Sequence, residues 1–224
     1  MSRIVLLAAL AAGITYGLAP VAIAAGLWSP DVPDAVGVAW KGAGVSLLAV
    51  WAGLEARNRD GWMLAAVLAF GALGDVLLAT HGLIVGAFAF LAGHVVAIAL
   101  YTRNRRPALA RADWIVAGAI VALTTLVSFL LPPDRGLAPG VALYAFGLSA
   151  MAAAAWLSRL PRALVAAGAL MFVVSDLLIF LRTGRPALDI LPMGLAVWGL
   201  YFGGQALIAV GGVRGLSRRT VTSR

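Results

Sequence analysis

Residues 61–79 read GWMLAAVLAFGALGDVLLA, an apolar segment with one charged side chain, Asp75. A transmembrane helix needs ~20 consecutive, mostly apolar residues, so this segment is long enough to cross a bilayer. Residues 163–181, ALVAAGALMFVVSDLLIFL, repeat the arrangement around Asp176. A carboxylate in hydrocarbon costs at least ~2.5–3.5 kcal/mol on insertion scales, and such residues usually mark functional sites. The two segments predict a membrane protein with two buried acids that share a role.

The composition of the whole chain agrees with this prediction. Of its 224 residues, 62% are hydrophobic and 12% are charged, and the mean hydropathy is +0.99. Soluble domains are nearer ~45–50% apolar and ~25% charged. We predict an all-α polytopic bundle in one integral membrane domain, residues 1–224. Its eight spans are predicted at about 4–26, 36–54, 61–79, 82–101, 113–131, 138–157, 163–181 and 187–212.

The first apolar segment has an alternative interpretation as a cleaved signal peptide, because Arg3 precedes it and small residues end it. Its length favours a retained span. With eight spans, thirteen arginines fall on one side of the membrane and three, Arg135, Arg182 and Arg185, on the other. The positive-inside rule then predicts that both termini are cytoplasmic, in a bacterial inner (plasma) membrane. The net charge of +8 is explained by this topology and does not indicate nucleic-acid binding.

Polar residues recur at matching places in the two halves of the chain, about 1–104 and 105–224. Asp75 lies late in span three and Asp176 late in span seven, while Lys41 lies early in span two and Tyr144 early in span six. Four spans is an even number, so the halves have the same orientation. This predicts parallel repeats related by an axis along the membrane normal.

The depths of these side chains predict one polar layer. Both aspartates lie roughly 6–8 Å inside the outer boundary at the helical rise per residue, a depth that Lys41 and Tyr144 share. His94, Tyr201 and Gln205 are predicted beneath them. The chain has no cysteine and two histidines, which excludes thiolate sites and three-histidine zinc sites. We expect no metal and no cofactor.

Each residue also has a structural interpretation. Lys41 can extend its amine to the outer surface, since it lies only about five residues into its span. Either aspartate alone can serve as an interhelical hydrogen-bond partner worth ~0.6 kcal/mol. His94 can be a packed, hydrogen-bonded core residue.

Taken in order, several residues and motifs give the chain a resemblance to the YhhN-like lysoplasmalogenase family. They are Lys41, Gly74-Asp75-x-x-Leu78, Gly93-His94 followed by Tyr101, Tyr144, Ser175-Asp176 followed by Leu178, and Tyr201-x-x-Gly204-Gln205-x-Leu207-Ile208. The resemblance covers essentially the whole chain. It implies hydrolysis of the vinyl ether bond of lysoplasmalogens to a fatty aldehyde and glycerophospho-ethanolamine or glycerophosphocholine.

This reaction needs a positioned general acid, a negative charge beside the developing oxocarbenium ion, and a base that directs water. We expect Asp75 and Asp176 to divide these roles as a coupled pair, one protonated and one ionised. His94 would assist water or proton movement. The residues expected to bind the lysophospholipid substrate are Lys41, Tyr144, Ser175, Tyr201 and Gln205.

Two other functional classes remain open. Parallel repeats with polar residues near mid-membrane also describe small-solute or lipid transporters. Against this, residues 63–73 and 163–174 carry no charge, which favours a site open to one side of the membrane. A non-catalytic lipid-binding or assembly protein would use the aspartates only for stability. The sequence does not indicate chain or head-group preference, substrate entry route or oligomeric state.

Overall fold

The computed structural model describes residues 1–29 and 34–217, and its secondary structure there is almost entirely α-helical. Within those residues, eight helices are long and apolar enough to cross a membrane, which confirms the predicted all-α class and span count. They are α1 (Ser2–Ala24), α2 (Asp34–Glu55), α3 (Arg59–His81), α4 (Leu83–Arg103), α5 (Arg111–Leu130), α6 (Ala138–Leu157), α7 (Val165–Arg182) and α8 (Leu191–Ser217).

The predicted boundaries hold to within a few residues at most helix ends. The largest differences concern α8, which begins four residues later than predicted and extends to Ser217. A single 3₁₀ turn, Pro186–Leu188, precedes it, with proline at the start of the turn. Proline has no backbone N–H and restricts the residue before it, so the chain continues as α-helix only after this turn.

The helices fall into two compact units, Met1–Gly93 and His94–Arg224. The single-domain assignment, the parallel repeat with halves at about 1–104 and 105–224, and the cytoplasmic placement of both termini stay predictions. The loop around Asp31 and the C-terminal Arg218, Arg219 and Arg224 lie outside the described residues.

In the unit Met1–Gly93, α2 packs against both α1 and α3. The α2–α3 contact is close at Gly42, where a Cβ would lie 2.9 Å from Cγ2 of Val76. Asn58 caps the start of α3 by accepting a 2.9 Å hydrogen bond from the backbone N–H of Gly61. Gly82 joins α3 to α4 with φ of +84°, a conformation that L side chains rarely adopt. This unit is therefore held by tight turns and close helix contacts.

In the unit His94–Arg224, α5 packs on α6, α6 on α7 and α7 on α8. The α7–α8 contact brings two backbones together at Gly168 and Gly204. A Cβ at Gly168 would lie 2.5 Å from the Gly204 carbonyl oxygen, and a Cβ at Gly204 would lie 2.6 Å from that of Gly168. Small residues permit this kind of approach between membrane helices. The glycines fix α8 against the helix that carries Asp176.

At both ends of this second unit, hydrogen bonds join segments that connect or terminate its helices. At one end the α4–α5 and α6–α7 connections pair through an isolated antiparallel bridge between Arg105 and Ser158. At the other end Arg185 donates to the carbonyls of Leu131 (2.8 Å) and Leu181 (2.7 Å). Cations at helix C-termini satisfy carbonyls that have no partner within the helix and interact favourably with the helix dipole. The ends of α5 and α7 are joined in this way.

Candidate functional site

Asp176, on α7, is buried, and its carboxyl group accepts a hydrogen bond from the phenol of Tyr144 on α6. The Tyr144 hydroxyl donates a 2.7 Å hydrogen bond to Oδ2 of Asp176. Asp176 is 6% exposed and Tyr144 is 9% exposed, so the pair is nearly sealed from the surroundings. A hydrogen bond from a neutral donor helps to hold a buried carboxyl in one orientation. The sequence placed these two residues at one depth, and the structure brings them into direct contact.

His94, on α4, extends this contact. Its Nε2 lies 3.4 Å from the Tyr144 hydroxyl oxygen, and the two rings meet edge to face with centroids 5.7 Å apart. The Tyr144 proton points to Asp176, so the hydroxyl oxygen can accept from an Nε2–H of His94. His94 was predicted in a layer beneath Tyr144; the structure joins the two residues directly in a row, Asp176–Tyr144–His94.

Aromatic rings enclose this row. Phe172 meets His94 with ring centroids 5.2 Å apart, and Phe180 meets Tyr144 at 6.0 Å. Both phenylalanines are on α7, four residues before and four after Asp176, and therefore on its face of the helix. Their spacing from Asp176 is the one signal in the sequence that marks these two phenylalanines as neighbours of the site. The two rings thus pack edge to face on His94 and Tyr144 and cover the row with apolar surface.

Two α8 residues were predicted for the site, and one of them, Tyr201, contacts Phe172, which in turn packs on His94. The Tyr201 ring lies 5.1 Å from that of Phe172, centroid to centroid, and Trp198 packs beside Tyr201 at 5.6 Å. Gln205, one helical turn further along, is buried. Tyr201 and Gln205 are thus both buried on α8.

Ser175, which the sequence analysis expects to bind substrate, forms a hydrogen bond within the protein. Its hydroxyl donates a 2.9 Å hydrogen bond to the backbone carbonyl of Val197, and this bond ties α7 to α8. Adjacent residues on a helix point in different directions, so Ser175 faces α8 while Asp176 faces Tyr144. Its role in binding substrate stays a prediction.

Asp75, in the unit Met1–Gly93, is also buried, with 2% of its surface exposed. It interacts electrostatically with the phenol of Tyr16 in α1. Tyr16 packs edge to face on Trp40, with centroids 5.9 Å apart, and the Trp40 indole N–H donates a 3.2 Å hydrogen bond to the Thr15 hydroxyl. Tyr16 therefore links Asp75 to a group of aromatic and polar residues on α1 and α2.

Lys41 is half-buried on α2 and takes part in interactions within the protein. The next residue, Gly42, forms the close contact with Val76, which follows Asp75. Lys41 and Asp75 thus flank one α2–α3 contact. That Lys41, Asp75, Tyr144 and Asp176 form a single layer stays a prediction, as does the catalytic or binding role of each residue.

Comparison with known proteins assigns the chain to a family. The model of the YhhN family matches residues 36–212. Two curated relatives, each described as a lysoplasmalogenase, come from Mycobacterium bovis and Mycobacterium tuberculosis. Each is 32% identical to this chain over 214 residues, covering 89% of this chain and 80% of the relative. No solved structure matches significantly.

Proposed function

Because the chain belongs to the YhhN family, we propose that it is a membrane hydrolase that cleaves the vinyl ether bond of lysoplasmalogens. The observation that carries the proposal is its similarity to two lysoplasmalogenases over most of their length. The substrate would be a lysoplasmenyl-ethanolamine or -choline in the bilayer. The products would be a fatty aldehyde and the corresponding glycerophospho-ethanolamine or -choline.

The proposed chemistry begins with proton transfer from a carboxyl group to the β-carbon of the vinyl ether. The electron pair of the double bond takes the proton, and an oxocarbenium ion forms at the α-carbon. Water adds there and loses a proton to a base, which gives a hemiacetal. The hemiacetal then breaks its bond to the glycerol oxygen, which takes up a proton, and the aldehyde leaves. Every step balances with carboxyl groups and water, without metal or cofactor.

The surroundings of Asp176 support its part in this proposal. Tyr144 occupies Oδ2 through its hydrogen bond, which leaves Oδ1 as the oxygen to meet substrate or water. A carboxylate held in a poorly hydrated site stabilises a developing cation more strongly than it would in water. The rings of Phe172 and Phe180 would add to this effect if the developing cation forms against one of their electron-rich faces. His94, at the other side of Tyr144, would assist proton movement.

Asp75 is the second carboxyl of the proposal, because it repeats the sequence position of Asp176 in the first half of the chain. Asp75 and Asp176 would divide the acid role and the base or electrostatic role. Lys41, Tyr201 and Gln205 would hold the phosphate head group and the glycerol hydroxyl. Lysine suits the phosphate as a compact point charge.

The test is aldehyde release by purified, detergent-solubilised protein. A lysoplasmalogen is compared with the ester lysophospholipid of the same chain and head group, and we expect release from the vinyl ether alone. Asp176→Asn and Asp75→Asn should each lose activity by more than about 100-fold, as loss of general acid–base catalysis typically costs. Asp189→Asn is the matched control, because Asp189 is an exposed acid outside the proposed site.

Two results would count against the proposal. If both asparagine variants fold and keep full turnover, the carboxyl mechanism is wrong. If the folded wild-type protein releases no aldehyde from any lysoplasmalogen, the substrate assignment fails, and flux assays in vesicles would then test the transporter alternative.

A further inference from the structure

A charged cluster lies at the end of the second unit where α5 begins and α6 ends. Its members are Arg106, Asp113, Trp156 and Arg162, called here the Arg106–Arg162 cluster. The guanidinium of Arg106 lies 3.2 Å from Oδ1 of Asp113, and that of Arg162 lies 2.9 Å from the same oxygen. Arg106 also donates to the backbone carbonyl of Trp156 at 3.2 Å, and Arg162 stacks 4.2 Å from the centre of the Trp156 ring. These contacts hold two guanidinium groups and an indole side by side.

The cluster has an excess of positive charge. Two arginines share one carboxylate oxygen of Asp113, and the other oxygen, Oδ2, accepts a 3.2 Å hydrogen bond from the backbone N–H of Ala110. The Asp113 carboxylate therefore neutralises only one of the two guanidinium charges. Other exposed arginines at this end, Arg105, Arg111 and Arg159, add to the positive potential.

The cluster also contains two buried donors without an acceptor. Within the chain as described, Nε of Arg106 and Nε1 of Trp156 are both buried and make no hydrogen bond. An unsatisfied buried donor is costly, and in folded proteins nearly all such groups have a partner. Both groups can only donate, so what they lack is an acceptor. The side chains of Arg162 and Arg106 are 40% and 27% exposed, so an acceptor from outside can reach both guanidinium groups.

We propose that the Arg106–Arg162 cluster binds the phosphate group of an anionic phospholipid. A phosphate supplies several acceptor oxygens and the missing negative charge, and arginine binds it through paired N–H donors. The cluster lies at the ends of spanning helices, where lipid phosphates are found, and tryptophan is common at that level. The surrounding arginines disfavour the ammonium group of a zwitterionic head group, so an anionic lipid fits best.

This site is separate from the one proposed for hydrolysis. Trp156 and Tyr144 are both on α6, twelve residues apart, which corresponds to roughly 18 Å along the helix axis. In a lysoplasmalogen, only the glycerol unit separates the vinyl ether from the phosphate, so one substrate molecule cannot occupy both places. The lipid bound at the cluster is a second lipid that is not consumed.

The test measures lipid-dependent stability of the purified protein in detergent. The Tm is followed while dioleoyl-phosphatidylglycerol is titrated into the micelles, with dioleoyl-phosphatidylcholine and inorganic phosphate as parallel titrations. We expect the Tm to rise with phosphatidylglycerol and to change little with the other two. Native mass spectrometry should show phosphatidylglycerol retained on the protein.

Variants locate the effect. Arg162→Gln removes one charge-assisted contact and should weaken the apparent Kd for phosphatidylglycerol about tenfold. Trp156→Phe is a second variant that keeps the folding question separate. It retains an aromatic ring under Arg162 but removes the Nε1 donor, and it should also weaken binding of phosphatidylglycerol. Arg111→Gln removes an exposed charge at the same end of the unit and should leave the affinity within about twofold.

Three results would overturn the proposal. Equal responses to phosphatidylglycerol and phosphatidylcholine would show that no anionic lipid is selected. An equal response to inorganic phosphate would assign the site to a free anion. Equal losses in Arg111→Gln and Arg162→Gln would show that the effect comes from diffuse surface charge and not from the cluster.

Discussion

Tyr144 and Asp176 are joined by a 2.7 Å hydrogen bond between two neighbouring helices, α6 and α7. Both side chains are buried, so this bond replaces hydration that the carboxyl group would otherwise require. His94 adjoins the phenol on its other side. A mutation that removes the phenolic proton therefore acts on the acid without touching the acid itself.

Tyr144→Phe should lower kcat/KM for lysoplasmalogen about 10- to 100-fold, because a hydrogen bond to a charged group is worth about 1.5–3 kcal/mol. The ring stays in place against Phe180, but the Tm should also fall, because the buried carboxyl of Asp176 loses a hydrogen-bond donor. Steady-state aldehyde release measures the change.

Tyr101→Phe is the matched control for this prediction. The Tyr101 hydroxyl is fully buried and has no hydrogen-bond partner in the described part of the chain, so its loss should leave activity and stability unchanged or slightly improved. Equal activity losses in the two variants would contradict a specific role for Tyr144.

Gly168→Ala should destabilise the protein by about 1–3 kcal/mol, the usual range for overpacking. The added methyl would lie 2.5 Å from the carbonyl oxygen of Gly204, so one of the two helices must shift. Thermal unfolding in detergent measures the effect. Gly199→Ala is the control, since nothing lies within 4 Å of its Cβ position, and it should be neutral or stabilising by up to about 1 kcal/mol. Similar melting curves for the two variants would contradict the close contact.

Ser175→Ala separates a structural role from a substrate-binding role. If the hydroxyl mainly ties α7 to the Val197 carbonyl, the variant loses about 1 kcal/mol of stability and keeps its KM. A rise in KM at unchanged Tm would instead support the substrate role predicted from sequence. Ser149→Ala is the comparison, because Ser149 bonds the carbonyl of Phe146 in its own helix.

Membrane topology can be tested directly, since the natural chain has no cysteine and any introduced thiol is unique. Pro107→Cys, between α4 and α5, should react with an impermeant maleimide only after the cells are opened. Asp189→Cys, between α7 and α8, should react in intact spheroplasts. The reverse pattern would overturn the assignment of both termini to the cytoplasm, which follows from the positive-inside rule.

The sequence predicts the helices well because each apolar segment is interrupted by charge or turn chemistry. Asn58 and Gly82 are examples: the first caps α3 and the second ends it, and both lie in breaks that the sequence marks. The start of α8 was misplaced because the segment after Pro186 is apolar enough for a span, while its backbone forms a 3₁₀ turn.

The site could be predicted only in part. Buried carboxyls are conspicuous in an apolar chain, so Asp75 and Asp176 were identified at once. Which donor meets Asp176 depends on how α6 and α7 are rotated against each other, and helical periodicity within one segment does not determine that. The pairing of Arg105 with Ser158 was missed because irregular connections have no periodicity to read.

The contact between Gly168 and Gly204 also limits the ways in which a lipid can reach the acid. Side chains at a helix contact can change rotamer and open a gap, but two backbones that touch have nothing to rotate aside. The seam between α7 and α8 is therefore closed to a passing acyl chain at this level. If a lipid reaches Asp176 from the bilayer, it does not do so between α7 and α8 at the level of Gly168 and Gly204.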